Sequence, residues 1–338
     1  MNINDLKTAI SQLNLDDLND LTIFIQNTIL STPKTLNLDA YLSNGLICPN
    51  CGSIDCVKNG KVRLKQRFIC KDCSKTFGLN SNFVTHKSKL STEQWYKYIE
   101  CMVNGHSIRK SAEITEVCVK TSFYMRHKIL NALDTFTDKN SVSGNVEMDE
   151  TFLAESFKGN HNKSGFQMPR ASRKRGKEVT KRGISSEQIC ICTAMDKNDN
   201  IIMEVVCRGR VTSENLNKMY AGHVTEGSTV CTDSLSSYRK LSKNLNLKHK
   251  PIASGKHSNG MFNLARINSL HSRFKTWLRH FNGVSTKFLS NYLTWFKWVE
   301  SVKGFREESK ADKLWGAATV KVVDVRIRRI RGRERVFV

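Results

Sequence analysis

The chain has 338 residues and carries 54 Lys and Arg against 31 Asp and Glu, a formal net charge of +23. This length predicts two or three folded units, because domains usually hold roughly 100–200 residues. A run of about 18 uncharged apolar residues, which a membrane-spanning helix needs, is missing from the sequence, so no membrane span is expected. So large an excess of positive charge indicates nucleic acid as the partner. A merely basic globular protein is the alternative.

The cysteine content favours a reducing compartment. The chain has 11 cysteines, an odd number, and they are spread along its length. A small secreted protein held by disulfide bonds usually has an even number of closely spaced cysteines. The first residues also lack the basic start and apolar stretch of a signal peptide. We therefore expect a cytoplasmic protein, with thiols available to bind metal. Residues 1–40 repeat apolar side chains at helical spacing and are predicted as an N-terminal helical segment.

Two C-x-x-C pairs predict a zinc ribbon over residues 45–80. Cys48 and Cys51 form the first pair, and Cys70 and Cys73 form the second after 18 intervening residues. Residues 62–69 alternate like a strand that leads into the second pair, and residues 76–77 continue as the return strand. Four thiolates complete a tetrahedral Zn²⁺ site and leave no position open for catalysis, so the zinc is structural. Four free cysteines packed as small apolar groups are the alternative.

Residues 91–135 have the pattern of a helix-turn-helix. A helix is predicted over 91–103, a short helix capped by Ser107 follows through residue 112, and a longer one covers about 120–133. Lys120, Arg126 and Lys128 in the last helix are candidate contacts to DNA grooves or phosphates. The alternative is an ordinary helical connector with a solvated basic face.

Beyond residue 145 strands alternate with helices, which predicts an α/β domain with a mixed sheet over residues 145–300. Strands are expected at 145–153, 188–196, 201–208, 228–233 and 249–252, with helices at 213–223, 237–245 and 263–280. The loop between the first two strands contains Arg173, Lys174 and Arg175, which are candidate contacts to the DNA backbone; a solvated surface loop is the alternative. Residues 301–338 are predicted as a basic C-terminal tail.

Two aspartates lie in predicted strands of this domain, one within a strand and one at a strand end. Asp149 lies in the first strand, and Asp233 ends another. A carboxylate inside a core strand is unfavourable unless a metal or a partner compensates its charge. Two such groups converging from neighbouring strands would bind Mg²⁺ or Mn²⁺ for phosphodiester chemistry. The alternative is that both are structural caps at strand ends.

The long helix after residue 263 presents a third polar group. Asn268, His271 and Lys275 are spaced so that they share one face of the helix, separate from its apolar stripe. Asn268 or His271 would complete the metal site, or Asn268 would be a surface amide. Glu150 directly follows Asp149, and adjacent strand residues face opposite sides of a sheet, so we expect it to be a poor co-ligand.

The order of these motifs resembles that of DDE-type insertion-sequence transposases with an N-terminal zinc ribbon, in particular the insertion-sequence fifteen-ninety-five family. The resemblance covers about residues 45–298. It rests on RFICKDCSKTF at 67–77, VEMDET at 146–151, TDS at 232–234, NSLHSRFK at 268–275 and FNGVSTK at 281–287.

This resemblance implies an RNase H-like catalytic domain that cuts and joins transposon ends with divalent metal. Asp149 and Asp233 match the first two acidic residues, Asn268 falls at the position of the third, and Lys275 matches the basic residue after it. The implied partners are double-stranded DNA, both transposon ends and target, and further copies of the chain in a dimer or higher oligomer. Because Asn268 replaces an acid, the alternative is an inactive DNA-binding protein derived from a transposase. A nuclease or resolvase on the same fold is a third reading.

Overall fold

The computed structural model describes residues 46–62, 65–78, 83–86, 88–137, 141–159, 183–256, 258–320 and 327–333, with a few isolated positions besides. The predicted helical segment 1–40 falls outside these residues except at three positions. Arg173, Lys174 and Arg175 fall outside them as well. Among the helices of the described part, none is both long and apolar enough to cross a membrane.

The first unit is a small antiparallel sheet around the cysteine pairs. Its strands are β1 (Cys56–Val62), β2 (Lys65–Cys70) and β3 (Thr76–Gly78), in the order β1-β2-β3. Phe68 and Phe77 pack across it with ring centroids 5.9 Å apart. The strand entering the second cysteine pair and the return strand are as predicted. β1 is an additional strand that the sequence analysis did not assign.

The second unit is a bundle of helices that begins with α1 (Thr92–Val103), α2 (Ile108–Ile114) and α3 (Val119–Thr137). The start of α1 is set by a capping box, in which Ser91 and Gln94 exchange backbone-to-side-chain hydrogen bonds of 3.1 Å. Gly105, at φ +67°, turns the chain between α1 and α2. The helices and turns expected in this region are therefore present.

The chain returns to this bundle after the sheet domain, as helices α7 (Leu289–Ser301), α8 (Glu307–Val320) and α9 (Ile327–Arg331). Residues 307–320 were predicted as part of a basic tail, and that prediction is wrong. Leu314 and Trp315 are buried against α1 and α3, and Tyr96 donates a hydrogen bond of 2.7 Å to Asp312. Burial of this apolar stripe stabilises α8 as an integral helix of the bundle.

The third unit is a five-stranded mixed sheet, so the predicted α/β architecture is confirmed. Its order is β6-β5-β4-β7-β8; β4, β5 and β6 are antiparallel neighbours, while β7 and β8 run parallel to β4. The strands are β4 (Asn145–Ala154), β5 (Gln188–Asp196), β6 (Ile201–Arg208), β7 (Thr229–Asp233) and β8 (Lys248–Ile252). A short hairpin, β9 (Ser258–Asn259) and β10 (Phe262–Asn263), precedes the last helix of the domain.

Helices cover both faces of this sheet. On one face, α4 (Ser213–Tyr220) and α5 (Ser236–Asn244) bury Val146 and Met148 of β4. On the other face, α6 (Ala265–Arg279) and α7 pack on β5 and β6. Strands buried on both faces explain the nearly continuous apolar run of β5.

Candidate metal centre and its surroundings

Asp149 and Asp233 come together because of the register between two parallel strands. β4 and β7 pair with Asn145 opposite Thr229 and Glu147 opposite Cys231. Two further residues along this register bring Asp149 beside Asp233, which is the last residue of β7. The sequence prediction that carboxylates of neighbouring strands converge here agrees with this geometry.

A third carboxylate belongs to the same group. Oxygen atoms of Asp149, Glu150 and Asp233 all lie within 4.8 Å of one another. Strand alternation led to the expectation that Glu150 is a poor co-ligand, yet its carboxylate lies close to the other two. Alternation directs only the Cα–Cβ bond, whereas the longer glutamate side chain reaches back to the end of β7. Oε1 of Glu150 is buried and has no hydrogen-bond partner among the described residues.

The electrostatics of this group call for a cation. Burial raises the pKa of Asp149 to about 6; the neighbouring Asp233 also raises it, and Lys275 opposes the shift. Burial raises the pKa of Glu150 to about 7, with contributions from both aspartates. Opposite ligands of an octahedral Mg²⁺ lie roughly 4.2 Å apart, since each ligand is about 2.1 Å from the ion. The spacing and the hard oxygen donors thus fit a divalent cation.

One oxygen of Asp233 also has a structural task. Its Oδ1 accepts a hydrogen bond of 3.0 Å from the backbone N–H of Leu235, just before α5 begins. The strand-end cap considered from the sequence is therefore present in part. Its other oxygen has no hydrogen bond within the described chain, so a cap and a metal ligand are compatible in the same side chain.

Helix α6 is fastened to β4 beside the carboxylates. Oε2 of Glu147 accepts a hydrogen bond of 3.0 Å from the N–H of Ile267 in the first turn of α6. This contact satisfies a backbone donor that helix starts leave open, and it places a negative charge at the positive end of the helix dipole. The sequence analysis did not identify Glu147 as a candidate residue. Its position two residues before Asp149 could have done so, because residues two apart in a strand lie on the same face of the sheet.

The polar residues of α6 occupy different environments. His271 is only 6% exposed, whereas Asn268 is exposed. Nδ1 of His271 lies 3.7 Å from Oδ2 of Asp149, and Nε2 lies 3.0 Å from Oγ1 of Thr193 on β5. Burial, aided by Lys275, lowers the pKa of His271 to about 4, so the ring is neutral at neutral pH. His271 contacts Asp149 but does not join the compact group of three carboxylates.

The four cysteines of the ribbon form a second candidate metal site. Sγ of Cys48 lies 3.6 Å from Sγ of Cys73, and Sγ of Cys51 lies 3.5 Å from Sγ of Cys70. Sulfurs bound tetrahedrally at about 2.3 Å from Zn²⁺ are roughly 3.8 Å apart, so the cluster fits zinc with little adjustment.

Backbone amides prepare these sulfurs for metal binding. The N–H of Cys73 lowers the pKa of Cys70 to about 6, and the N–H of Lys75 lowers the pKa of Cys73. Cys56 lies outside the four-sulfur group, and burial raises its pKa to about 11. Cys56 is therefore not a candidate ligand of this site.

Comparisons with known proteins find similarity to transposases. Residues 141–300 match the ISXO2-like transposase domain. This segment of the chain is similar to that family, and the match covers just under half of the chain. The chain is also 26% identical over 288 residues to an uncharacterized protein in transposable element ISH50 of Halobacterium salinarum, covering 84% of this chain and 95% of that protein. The resemblance to insertion-sequence transposases is thereby confirmed.

Solved transposase complexes are more distant. A pre-cleavage Mos1 transpososome is 12% identical, with 65% of this chain and 78% of that chain covered and a TM-score of 0.21. The Mos1 strand transfer complex is 13% identical, with 64% and 76% covered and a TM-score of 0.23. TM-scores of this size do not establish a common overall fold.

Outside the transposase domain, two of the predicted DNA contacts lie in the interior. Arg126 is fully buried; its Nη2 donates to the carbonyl of His106 at 2.6 Å. Lys128 is 9% exposed, and its Nζ donates to the carbonyls of Val84 and His86. These positions correct the expectation that both side chains face DNA, because α3 is surrounded by other helices of the bundle. Lys120, in the first turn of α3, is exposed as expected.

Proposed function

We propose that the protein is a DNA transposase that binds the terminal inverted repeats of its element and cuts and joins DNA strands with divalent cations. The observation that carries this proposal is the meeting of Asp149, Glu150 and Asp233 beside the end of β7, within a transposase domain. The sheet order β6-β5-β4-β7-β8, with three antiparallel strands followed by two parallel ones, supports an RNase H-like catalytic core.

Asp149 and Asp233 are proposed to hold Mg²⁺ or Mn²⁺, with Glu150 as a further carboxylate beside them. Such a cation, when bound, activates water or a 3′-hydroxyl and stabilises the leaving oxygen of a phosphodiester. His271 keeps Asp149 oriented from the neighbouring helix. Lys275 has no hydrogen bond or ion pair among the described residues, and its charge is available to a DNA phosphate near the reacting bond. Asn268 lies exposed on the same helix and is proposed as a neutral contact to the metal or DNA.

The zinc ribbon and the helix-turn-helix are proposed to recognise the transposon ends. Lys120, exposed in the first turn of α3, is proposed to contact DNA in the major groove. Two ends must be brought together for transposition, so we infer a homodimer or higher oligomer on DNA in the cytoplasm. Arg173, Lys174 and Arg175 stay candidate contacts to the DNA backbone.

An inactive DNA-binding protein is the second candidate, and the neutral Asn268 is the observation that favours it. Against it, a cluster of three carboxylates is unfavourable without a cation to compensate its charge.

A strand-transfer assay tests the proposal. Purified zinc-loaded protein is incubated with a labelled duplex from the flanks of its gene, a target plasmid and Mg²⁺ or Mn²⁺. We expect joined product with the native chain and with Glu204→Gln, an exposed carboxylate on the edge strand β6. Asp149→Asn and Asp233→Asn should lose at least 10²-fold of this activity. Joining by either aspartate variant at the native rate would refute the proposed catalytic site.

A further inference from the structure

A large cavity lies between the helix-turn-helix and the segment that links α6 to α7. Its volume is about 1170 Å³. Ser107 and Arg109 at the start of α2 and Val119 and Lys120 at the start of α3 form one side, and residues 281–288 form the other. The catalytic carboxylates are not part of its lining.

The lining of this cavity is strongly positive. Its charged side chains are Arg109, Lys120, Arg126, Lys158, Lys287 and Arg331, and no described residue of the lining is acidic. Such a concentration of one sign in a recess focuses the potential and favours an anion.

The buried Arg126 adds to the positive potential of this cavity. The side chain is fully buried, and its Nε and Nη1 have no hydrogen-bond partner in the described chain. The guanidinium stacks on aromatic rings, with Cζ 5.0 Å from the ring centroid of Trp295 and 5.7 Å from that of Phe281. These rings stabilise the cation without neutralising it, since a ring carries no net charge.

Aromatic rings cover part of the cavity wall. The centroid of the His127 ring lies 4.4 Å from that of Phe123 and 4.2 Å from that of Phe288, and the two phenylalanines are 5.3 Å apart. Both phenylalanines are partly exposed. Burial lowers the pKa of His127 to about 3, so this ring is neutral and adds aromatic surface rather than charge.

The opposite wall is held firmly to the strand that carries Asp149. Nζ of Lys158, beyond the end of β4, donates to the carbonyls of Phe281, Asn282 and Gly283 at 3.1, 2.8 and 2.9 Å. Ser156 and Thr286 exchange two further hydrogen bonds. With its three donors used, the Lys158 ammonium group serves as a clamp, and Arg109 and Lys120 are the exposed cations without partners in the described structure.

We propose that this cavity receives one unpaired nucleotide of the DNA bound by the helix-turn-helix. Arg109 and Lys120 hold its phosphate, and the base lies against the faces of Phe123 and Phe288. This inference rests on the proposed function, because it requires that the chain binds DNA through α3.

Three features favour an unpaired nucleotide over other anions. The aromatic surface offers stacking to any base, which a sulfate or phosphate ion cannot use. Val119 and Lys120 in the first turn of α3 line the cavity, and the first turn of a recognition helix is the part that meets DNA. Bases inside an intact duplex are already stacked and cannot enter such a recess, whereas an extruded base can.

The test scans a duplex for a position that gains affinity when its base pair is removed. Full-length zinc-loaded protein is titrated, by fluorescence anisotropy at fixed salt, with duplexes of the terminal repeat that each carry one abasic site opposite a successive nucleotide. Removing the partner base removes much of the cost of extrusion. We expect about tenfold tighter binding at one position or two adjacent positions and an unchanged affinity elsewhere.

Phe288→Leu and Phe305→Leu form the matched pair of variants. Leucine keeps the apolar volume at position 288 and removes the ring face, so the gain at the abasic position should disappear. Phe305 is 48% exposed and lies outside the cavity lining, so its variant should keep the full gain.

Three outcomes would overturn the proposal in different ways. A flat profile with specific binding of the intact repeat, or a gain retained by Phe288→Leu, would reject the cavity as a nucleotide site while leaving the proposed transposase intact. Phe288-dependent binding of free deoxynucleoside monophosphate without DNA would assign the cavity to a soluble ligand. A lack of binding to every repeat duplex would reject the proposed DNA recognition and this inference together.

Discussion

Asp149 and His271 contact each other across the interface between a strand and a helix, with Oδ2 of the aspartate 3.7 Å from Nδ1 of the imidazole. The other ring nitrogen is held by Thr193 on the next strand. The histidine therefore ties α6 to two strands at the point where the carboxylates gather.

His271→Ala should destabilise the fold, since it empties a buried position and leaves the Thr193 hydroxyl without its partner. Losses of this kind cost about 1–3 kcal/mol. Urea unfolding monitored by tryptophan fluorescence measures it. Asn268→Ala, one turn earlier on the exposed side, is the control and should change the free energy of unfolding by less than about 0.5 kcal/mol. Equal losses in both variants would contradict the placement of His271.

The stability of the metal-free protein should fall as pH rises through about 6 to 7. Burial raises the pKa values of Asp149 and Glu150 above those of an unfolded chain, so the native state binds more protons in this range and loses this advantage when they dissociate. A bound cation compensates the same charges, and Mn²⁺ should therefore raise the melting temperature more at pH 8 than at pH 5. Calorimetry with and without Mn²⁺ checks this. An equal shift at both values, or the same pH dependence in Asp149→Asn, would count against it.

Glu150→Gln should weaken Mn²⁺ binding and, without metal, stabilise the fold at pH 8. The substitution keeps the shape of the side chain and removes a buried charge that has no counter-ion among the described residues. Isothermal titration calorimetry gives the affinity, and thermal unfolding gives the stability. An unchanged Mn²⁺ affinity in this variant would mean that the Glu150 carboxylate does not contribute to metal binding.

One zinc ion per chain should copurify with the protein and depend on the four-cysteine cluster. Cys73→Ser should lose the zinc and unfold the ribbon, because a small sheet with few buried residues depends on its metal. Cys56→Ser should keep full occupancy. Atomic absorption measures the zinc content of each variant. Loss of zinc from Cys56→Ser together with full zinc in Cys73→Ser would contradict this assignment.

Arg126→Gln and Lys120→Gln should separate stability from DNA binding. Arg126 lies within the bundle, so its replacement should cost about 2 kcal/mol or more in the free energy of unfolding. Lys120 is exposed, so its replacement should leave stability unchanged and reduce the slope of log affinity against log salt by about one. A change in salt slope confined to Arg126→Gln would reverse these roles.

Much of the fold follows from local patterns in the sequence. The bounds predicted for β5 and β6 match the structure to the residue, because an apolar run on each side of a polar turn at 197–200 defines both ends. The cap at Ser107 also marks the start of α2 correctly, although the helix ends two residues later than predicted. The Cys pairs predicted the four-sulfur cluster, since ligand spacing is itself a local property.

The predictions that are wrong concern side chains whose surroundings are set by residues far away in the sequence. Helical spacing marks Arg126 and Lys128 as basic positions, but only contacts with distant parts of the chain show that they are enclosed. Arg126 packs against Trp295 of α7, and Lys128 donates hydrogen bonds to the carbonyls of residues 84 and 86. Strand alternation misjudged Glu150, because the reach of its side chain and the end of β7 determine where the carboxylate lies. The apolar residues of α8 are visible in the sequence, but the many charged residues around them led to the prediction of a basic tail.

The most direct test of the central claim is a metal-specificity switch at Asp233. A thiolate binds Mg²⁺ poorly and accepts softer ions such as Mn²⁺ more readily. Strand transfer by Asp233→Cys should therefore be lost with Mg²⁺ and partly restored with Mn²⁺, whereas Glu204→Cys should behave as the native chain with both ions. Native strand transfer by Asp233→Cys in Mg²⁺ would contradict the assignment of Asp233 as a ligand of the catalytic metal.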